Sequence, residues 1–415
     1  MVPGKMKSLA TPLLSLLSTL AQGQTLEFWT MQLSPHLDSY VRGLIERYEA
    51  QHPGQRVQWR DLPWSEMERK VLTAIAAGQA PDVVNLNPQF AAKLAEFGAL
   101  ADPEAHLPPA VVQSYLPAAW AGNRLAGKSF ALPWYLTTNL TLVHRGLLQK
   151  AGVTEVPRSP AELLAVAPKF AAHGMHAYFP ALDGAHPLET LVSFGTPLLD
   201  AKGCPGFVNE KGAAAFDFYR ELYQRRYVPR NVVTEGHRKA VELFVAGELA
   251  MVSTGMQFLR FIKTSNAALY EQIDLAPPLA GAGVAPNLAL MNLAVPTASR
   301  QRAAAFEFAA FVSNAENQLR FAQTVPVLPS TRASYDDPFL STTPASTELS
   351  DRARALSAAT ALRGAVLVPP MRAYSKLRNA YTLQLQAQML GRQSPQAALQ
   401  AAGRQWAALL GCAAP

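Results

Sequence analysis

Charge and cysteine are both scarce in this chain, and the common catalytic motifs are missing. Asp, Glu, Lys and Arg make up only 16% of the 415 residues. The net charge of +7 is dispersed, with Arg225-Arg226 the densest basic run, so no nucleic-acid partner is expected. Two cysteines, Cys204 and Cys412, allow at most one disulfide. Their wide spacing lends a bond no support, and two free thiols are at least as good a reading. There is no G-x-S-x-G, H-E-x-x-H, G-x-x-x-x-G-K-[ST] or C-x-x-C, which removes the usual signs of a serine hydrolase, a zinc protease, a P-loop NTPase and a dithiol oxidoreductase. "VSTG" at 252–255 has the serine without the glycine pattern. His173, His176 and His186 are a weak metal signal with no acid immediately beside them, so solvated histidines are the better reading. Neither a metal nor a cofactor is expected. Asp336-Asp337 stands before Pro338 in a turn-like stretch.

What is present suits a large globular protein. Hydrophobic residues reach 49%, and the 32 Pro and 25 Gly form no low-complexity tract. Lys5 and Lys7 precede "LATPLLSLLSTL" and then "AQG". A basic start, a short apolar run and small residues read as a signal peptide over 1–23, cleaved after Gly23. The run is too short to span a bilayer, and nothing later is long and apolar enough. Neither cysteine sits at the cleavage point, so lipid attachment there is not expected, and an unanchored exported chain is best retained in a periplasm.

Past the leader, strand and helix patterns alternate. "TLEFWT", "RVQWRD" and "PDVVNL" read as strands. Between and after them, apolar positions recur at helical spacing over 38–50, in "SEMERKVLTAIAAG" with Ser65 and Glu68 as a capping box, and in "FAAKLAEFG". The middle repeats this grammar: "SFALPW" and "TLVHR" as strands, "SPAELLAVAPKF" with a Ser-Pro-x-Glu start, then a long helix "AAAFDFYRELYQRRY". "LAMVS", "IDLAPP" and "LALMNLAVP" return as strands, and residues 331–350 suit a connection. The fold class is therefore α/β, in two lobes whose mostly parallel sheets are flanked by helices.

Polar and aromatic residues gather where these strands end. They are Trp29, Met31, Gln32 and Ser34 after the first, Trp64 after the second, Asn85, Asn87 and Gln89 after the third, and Trp134, Tyr135 and Thr137 in "LPWYLTT". Ligands of open α/β sheets bind at such strand ends. Rings, amides and hydroxyls without a nucleophile–base pair suit a neutral polyhydroxy ligand. Each has a bland alternative: Trp29 in the core, Trp64 stapling a helix, Asn85 and Asn87 as caps. Trp134 and Tyr135 are adjacent, strand neighbours face opposite sides, and so at least one ring should leave the core.

Five stretches together resemble one family: "AAGQAPDVVNLNPQFAAKLAEFGAL" (76–100), "GKSFALPWYLTTNLTLVHRGLLQKAG" (127–152), "LFVAGELAMVSTG" (243–255), "LAVPTASRQRAAAFEFAAFVSN" (293–314) and "GRQSPQAAL" (391–399). In order and spacing they resemble the extracytoplasmic solute-binding proteins of ABC importers, sugar-binding family 1, to which maltose-binding protein belongs. The resemblance implies one lobe of 24–136 plus 270–335 and a second of 137–269 plus 336–415 with the C-terminal helices. "WYLTT" would be the first crossover, at the floor of a ligand cleft. By position, Met31 to Ser34, Asn87, Gln89, Asp183, His186 and Gln257 would contact ligand. The implied role is binding without catalysis, as a monomer that delivers a sugar or oligosaccharide to a membrane permease pair. Leu33, Ser34 and Gln257 stand where maltose-binding relatives often carry charges or an aromatic, which counts against maltose itself.

Other ligands stay open. A glycerol phosphate would need a cation in the cleft, for which Arg372 is the candidate; a polyamine would need Asp61 or Asp183. A glycoside hydrolase would need two facing carboxylates, and the strand-end loops offer no obvious pair. Export should leave Gln24 as the first residue; the intact mass and N-terminal sequence of the secreted chain check this, and retention of residues 1–23 would overturn the leader reading.

Overall fold

Alternation along the first strand sets up the first lobe. The computed structural model describes residues 24–341 and 348–414, so the expected leader at 1–23 lies outside the described residues. Strand β1 (Gln24–Met31) sends Leu26 and Phe28 into one apolar cluster and Trp29 and Met31 into another, one on each face of its sheet. A strand with both faces buried must be apolar on both. The others are β2 (Gln55–Leu62), β3 (Val83–Leu86), β4 (Arg124–Leu125), β5 (Lys128–Ser129), β6 (Leu132–Thr137), β7 (Asn139–His144), β8 (Met251–Gly255), β9 (Ile273–Ala276), β10 (Ala289–Ala294) and β11 (Leu328–Pro329).

The first lobe holds a sheet of order β11-β6-β10-β3-β1-β2, and the second a sheet of order β8-β7-β9. β1 is parallel to β2 and β3, whereas β10 runs antiparallel to β3 and β6. β7 is antiparallel to both its partners. The architecture is α/β with two lobes, but the expected mostly parallel pairing extends only over β2-β1-β3. The physical reason is connectivity: β6 and β7 follow one another with only Thr138 between them, yet lie in different sheets, and so do β9 and β10. Because β9 pairs with β7, the return to the first sheet comes after Ala276 and not near 270. The second lobe is completed by helices Glu210–Gln224, Tyr374–Met389 and Pro395–Leu410, which pack on one another. Among the described residues no helix is long and apolar enough to cross a membrane.

Three local expectations are revised. Helix Trp64–Ala76 begins directly after Pro63, so Ser65 lies inside the first turn and caps nothing; Glu68 pairs instead with Lys93, 2.5 Å away on the neighbouring helix. The Ser159 start does form a box: Ser159 Oγ accepts from the Glu162 amide at 3.2 Å, and Glu162 Oε2 accepts from the Arg158 amide at 2.8 Å. Cys204 and Cys412 are bonded, tying the tail beyond the last helix to the loop ahead of helix Glu210–Gln224. Free thiols were read from sequence distance, which carries no information about where the second lobe brings its C-terminus.

The third revision concerns the paired rings. In the β6–β10 ladder Met291 faces Tyr135 and Asn292 faces Pro133, so Trp134 is the extra residue of a bulge. A bulge breaks the two-residue alternation, and both rings turn to one side, each against Phe321. Trp134 is fully buried, stacked on Phe321 at 5.1 Å and edge-on to Phe28 at 6.4 Å. It is a core residue and no ligand platform. Trp134→Ala is expected to lower the unfolding free energy by about 3–5 kcal/mol, measured by urea titration; a loss below about 1 kcal/mol would contradict this packing.

Candidate functional site

The loop after β1 is organised by one carboxylate. Asp61, opposite Thr30 in the β1–β2 register, accepts from Thr30 Oγ1 at 2.6 Å, from the Leu33 amide at 3.1 Å and from the Ser34 amide at 3.0 Å. Its oxygens are taken up by loop geometry, which weakens the case for Asp61 as a polyamine anchor. Gln32 turns the chain with φ 53° and stays exposed, as does Ser34, whereas Trp29 and Met31 are buried under helices of the first lobe. Trp29 and Met31, like Trp134, therefore leave the candidate set.

At the end of β3, Asn87 caps helix Pro88–Glu96, its Oδ1 accepting from the Phe90 amide at 2.8 Å. Pro88 at the first helical position suits that start. The cap leaves the Asn87 amide nitrogen without a partner among the described residues. Asn87 and Gln89 line one side of a hollow of about 580 Å³, and Gly184, Ala185 and Tyr374 line the other. This is the cleft between the lobes, because the first pair belongs to the six-stranded lobe and the second set to the other. A volume of this order accommodates a small-molecule ligand.

The same loop opens on its far side into a smaller chamber. Asp183 Oδ1 accepts from the His237 amide at 2.9 Å, and its carbonyl oxygen lies 3.0 Å from His186 Nδ1. The His186 ring stacks on that of His237 at 5.5 Å, and His237 Nε2 lies 3.1 Å from the Ser253 carbonyl oxygen in the middle of β8. Burial, with His186 second, holds the His237 imidazole below its ordinary value. His186 then faces a chamber of about 90 Å³ that also exposes Tyr178, Glu189, Ser253 and Asn287. Glu189 stands one turn along helix His186–Ser193, and its Oε1 accepts from Asn287 Nδ2 at 2.9 Å. Asn287 Oδ1 in turn accepts from the Leu367 amide at 3.0 Å. Burial pushes the Glu189 carboxyl above the usual range, against the opposing pull of His186. Burial likewise pushes the Tyr178 hydroxyl up to about 12, so it stays a neutral donor.

The remaining expected residues are scattered. Trp64, 46% exposed, and the exposed Gln257 lie outside both hollows. Tyr135 is half-buried against Phe321. Arg372 lines a separate hollow with Leu125, Lys128 and Thr297 on the six-stranded lobe, away from Asn87 and Gln89. Sequence reasoning missed Tyr178, Glu189, Asn287 and Tyr374. "AYFP" did carry a signal, since it repeats the ring pair beside a proline of "LPWY"; Asn287 had none, because its role depends on chain from three distant places.

Comparison with known proteins places this geometry among relatives. The family model described as "Bacterial extracellular solute-binding protein" matches residues 34–319. The structure of a proposed oligosaccharide periplasmic-binding protein from Synechococcus sp. MITs9220, solved with zinc, is 39% identical. That likeness covers 93% of this chain and 99% of the other with a TM-score of 0.85. The mannitol-binding protein of Pseudomonas aeruginosa is 26% identical over 348 residues, 79% of each chain. Proposed binding proteins of Brucella abortus are 23% identical over 222 residues, and there the match spans 54% of the relative's length, about half.

The Glu189 shift has a readable sign. With the folded-state pKa raised, the native state holds a proton that the unfolded state has released, so stability falls as pH rises through about 4.5 toward the folded value. Glu189→Gln should flatten that stretch of the stability-versus-pH curve; an unchanged slope in denaturant titrations would show that Glu189 does not titrate out of place.

Proposed function

This chain belongs to the family of bacterial extracellular solute-binding proteins, and from that premise we propose that it is the sugar-capturing component of an ABC importer. The observation that carries the reading is the interlobe cleft. Asn87 and Gln89 present amides from one lobe, and Tyr374 presents a ring beside the Gly184-Ala185 backbone of the other. Amides pair with hydroxyls, and rings cover the apolar faces of sugars. The polyol and oligosaccharide ligands named for the relatives support the same class.

The mechanism is capture without chemistry. A ligand that touches both lobes binds the closed form better than the open one and shifts the population toward it. Moving a closed fraction from about 1:99 to 99:1 needs roughly 5.5 kcal/mol of preferential binding. The closed monomer then docks on a membrane permease pair driven by a cytoplasmic ATPase. Residence in the periplasm, after removal of the leader, completes the proposal.

A thermal-shift panel of mono- and oligosaccharides, polyols, glycerol phosphates and polyamines tests it. A ligand at about 100 times its dissociation constant stabilises the native state by about 2.7 kcal/mol. We expect such a shift with one sugar or polyol series and no consumption of it. Gln89→Ala and Tyr374→Ala should each weaken that binding by about tenfold, as the loss of one hydrogen bond or one ring contact would. A shift confined to phosphates or polyamines would overturn the sugar assignment, and turnover of any compound would overturn binding alone.

A further inference from the structure

The chamber beside helix His186–Ser193 contains a carboxylate without a cation. Glu189 Oε1 accepts one hydrogen bond, from Asn287, and Glu189 makes no other hydrogen bond among the described residues. No Lys or Arg lines the chamber. Its other polar side chains are neutral: the hydroxyls of Tyr178, Thr190, Ser193 and Ser253 and the amides of Asn139 and Asn287. His186 is the one basic side chain on the wall. Its Nδ1 is turned to Asp183, 3.0 Å from the carbonyl oxygen, its ring lies against His237, and it forms no ion pair with Glu189. A carboxyl withdrawn from water without a paired cation holds its proton more tightly, and an arriving cation would favour its ionised form, so here the protein supplies half of a pair.

We propose that the missing half comes with the ligand: the chamber receives a protonated amino group, and the captured solute is an amino sugar. The inference rests on the carbohydrate reading and narrows it. A primary ammonium has three donors. One can reach the Glu189 carboxylate, and the hydroxyls of Tyr178 and Ser253 offer acceptors for the others. The walls beside them, Phe179, Phe218 and Leu279, are apolar and suit the faces of a sugar ring. The chamber is small, about 90 Å³, so it takes the amino-bearing end of the ligand, and the larger cleft is lined by Gly184 and Ala185, which precede His186 in the chain. A charge-assisted bond in this setting is about twice as strong as a neutral one. The amine is thus the group on which selection acts, while the ring contacts would accept many sugars.

Matched ligands test this on the native protein without a variant. Glucosamine, glucose and N-acetylglucosamine, with the corresponding disaccharides, are titrated calorimetrically at about pH 6, where the amine is protonated. N-acetylglucosamine keeps the substituent and removes the charge. The expected result is binding of the amino sugars at least about tenfold tighter than both neutral counterparts. In Glu189→Gln, the ratio of amino-sugar to neutral-sugar affinity should fall to about one, whatever the change in overall affinity. Equal or tighter binding of the neutral sugars would overturn the inference and leave the carbohydrate reading standing. Undiminished preference in the variant would overturn the assignment to Glu189. Binding of no sugar in any form would overturn the carbohydrate reading itself.

Discussion

The side-chain amide of Asn287 joins three stretches of chain that lie far apart in the sequence. Its nitrogen holds Glu189 on helix His186–Ser193, its oxygen holds the Leu367 amide, and its own backbone belongs to the segment that leads from β9 to β10. Backbone bonds reinforce the junction, from the Leu288 amide to the Ala365 oxygen and from the Ala365 amide to the Pro286 oxygen, each at 2.9 Å. A half-buried amide with both ends used favours a single arrangement, because a slip leaves a polar group unpaired. The orientation of Glu189 in its chamber, the path of the chain from Ala365 to Ala373 and the position of Tyr374 on the cleft all follow from that arrangement.

Between helices Leu349–Ala361 and Tyr374–Met389 the chain leaves the second lobe's helical layer and leans on the first. Val366 approaches Gly122 so closely that a β-carbon there would lie 2.4 Å from its Cγ2. Val368, Pro369, Pro370 and Met371 pack beside Gln89 and Ala92 of helix Pro88–Glu96. Glycine at 122 is needed for close approach, not for turn geometry. The prolines keep the strap extended. Ala373 then takes φ 54° and turns the chain into its final helices.

Much of this was legible in the sequence, and the limits have physical causes. Strand-helix alternation and the strand-end amides led to Asn87 and Gln89, which do face the second lobe's Gly184-Ala185 loop. Those are local properties, readable from periodicity and capping. Trp134 failed because a bulge is set by the partner strand: alternation assumes one residue opposite one, and β10 supplies one residue too few. Trp29 and Met31 failed because a strand inside a sheet covered on both faces has no exposed side. The pairing of Cys204 with Cys412, the antiparallel second sheet and the Glu189–Asn287 contact all join distant parts of the chain, and no window of sequence contains them.

The crossing at Thr138 has a kinematic consequence. A connection of one residue between two sheets has almost no slack, and Thr138 is buried, with its Oγ1 3.5 Å from the Ser357 carbonyl oxygen. It can act as a pin but not as a tether. The Asn287 junction is a second pin on another stretch of chain. Two fixed points define an axle, and bodies joined along an axle can rotate about it but cannot slide apart or twist freely. Rotation about these two points is the motion they leave freest, and one angle is its natural coordinate. Every ligand that spans the cleft acts on that same coordinate, whatever its shape.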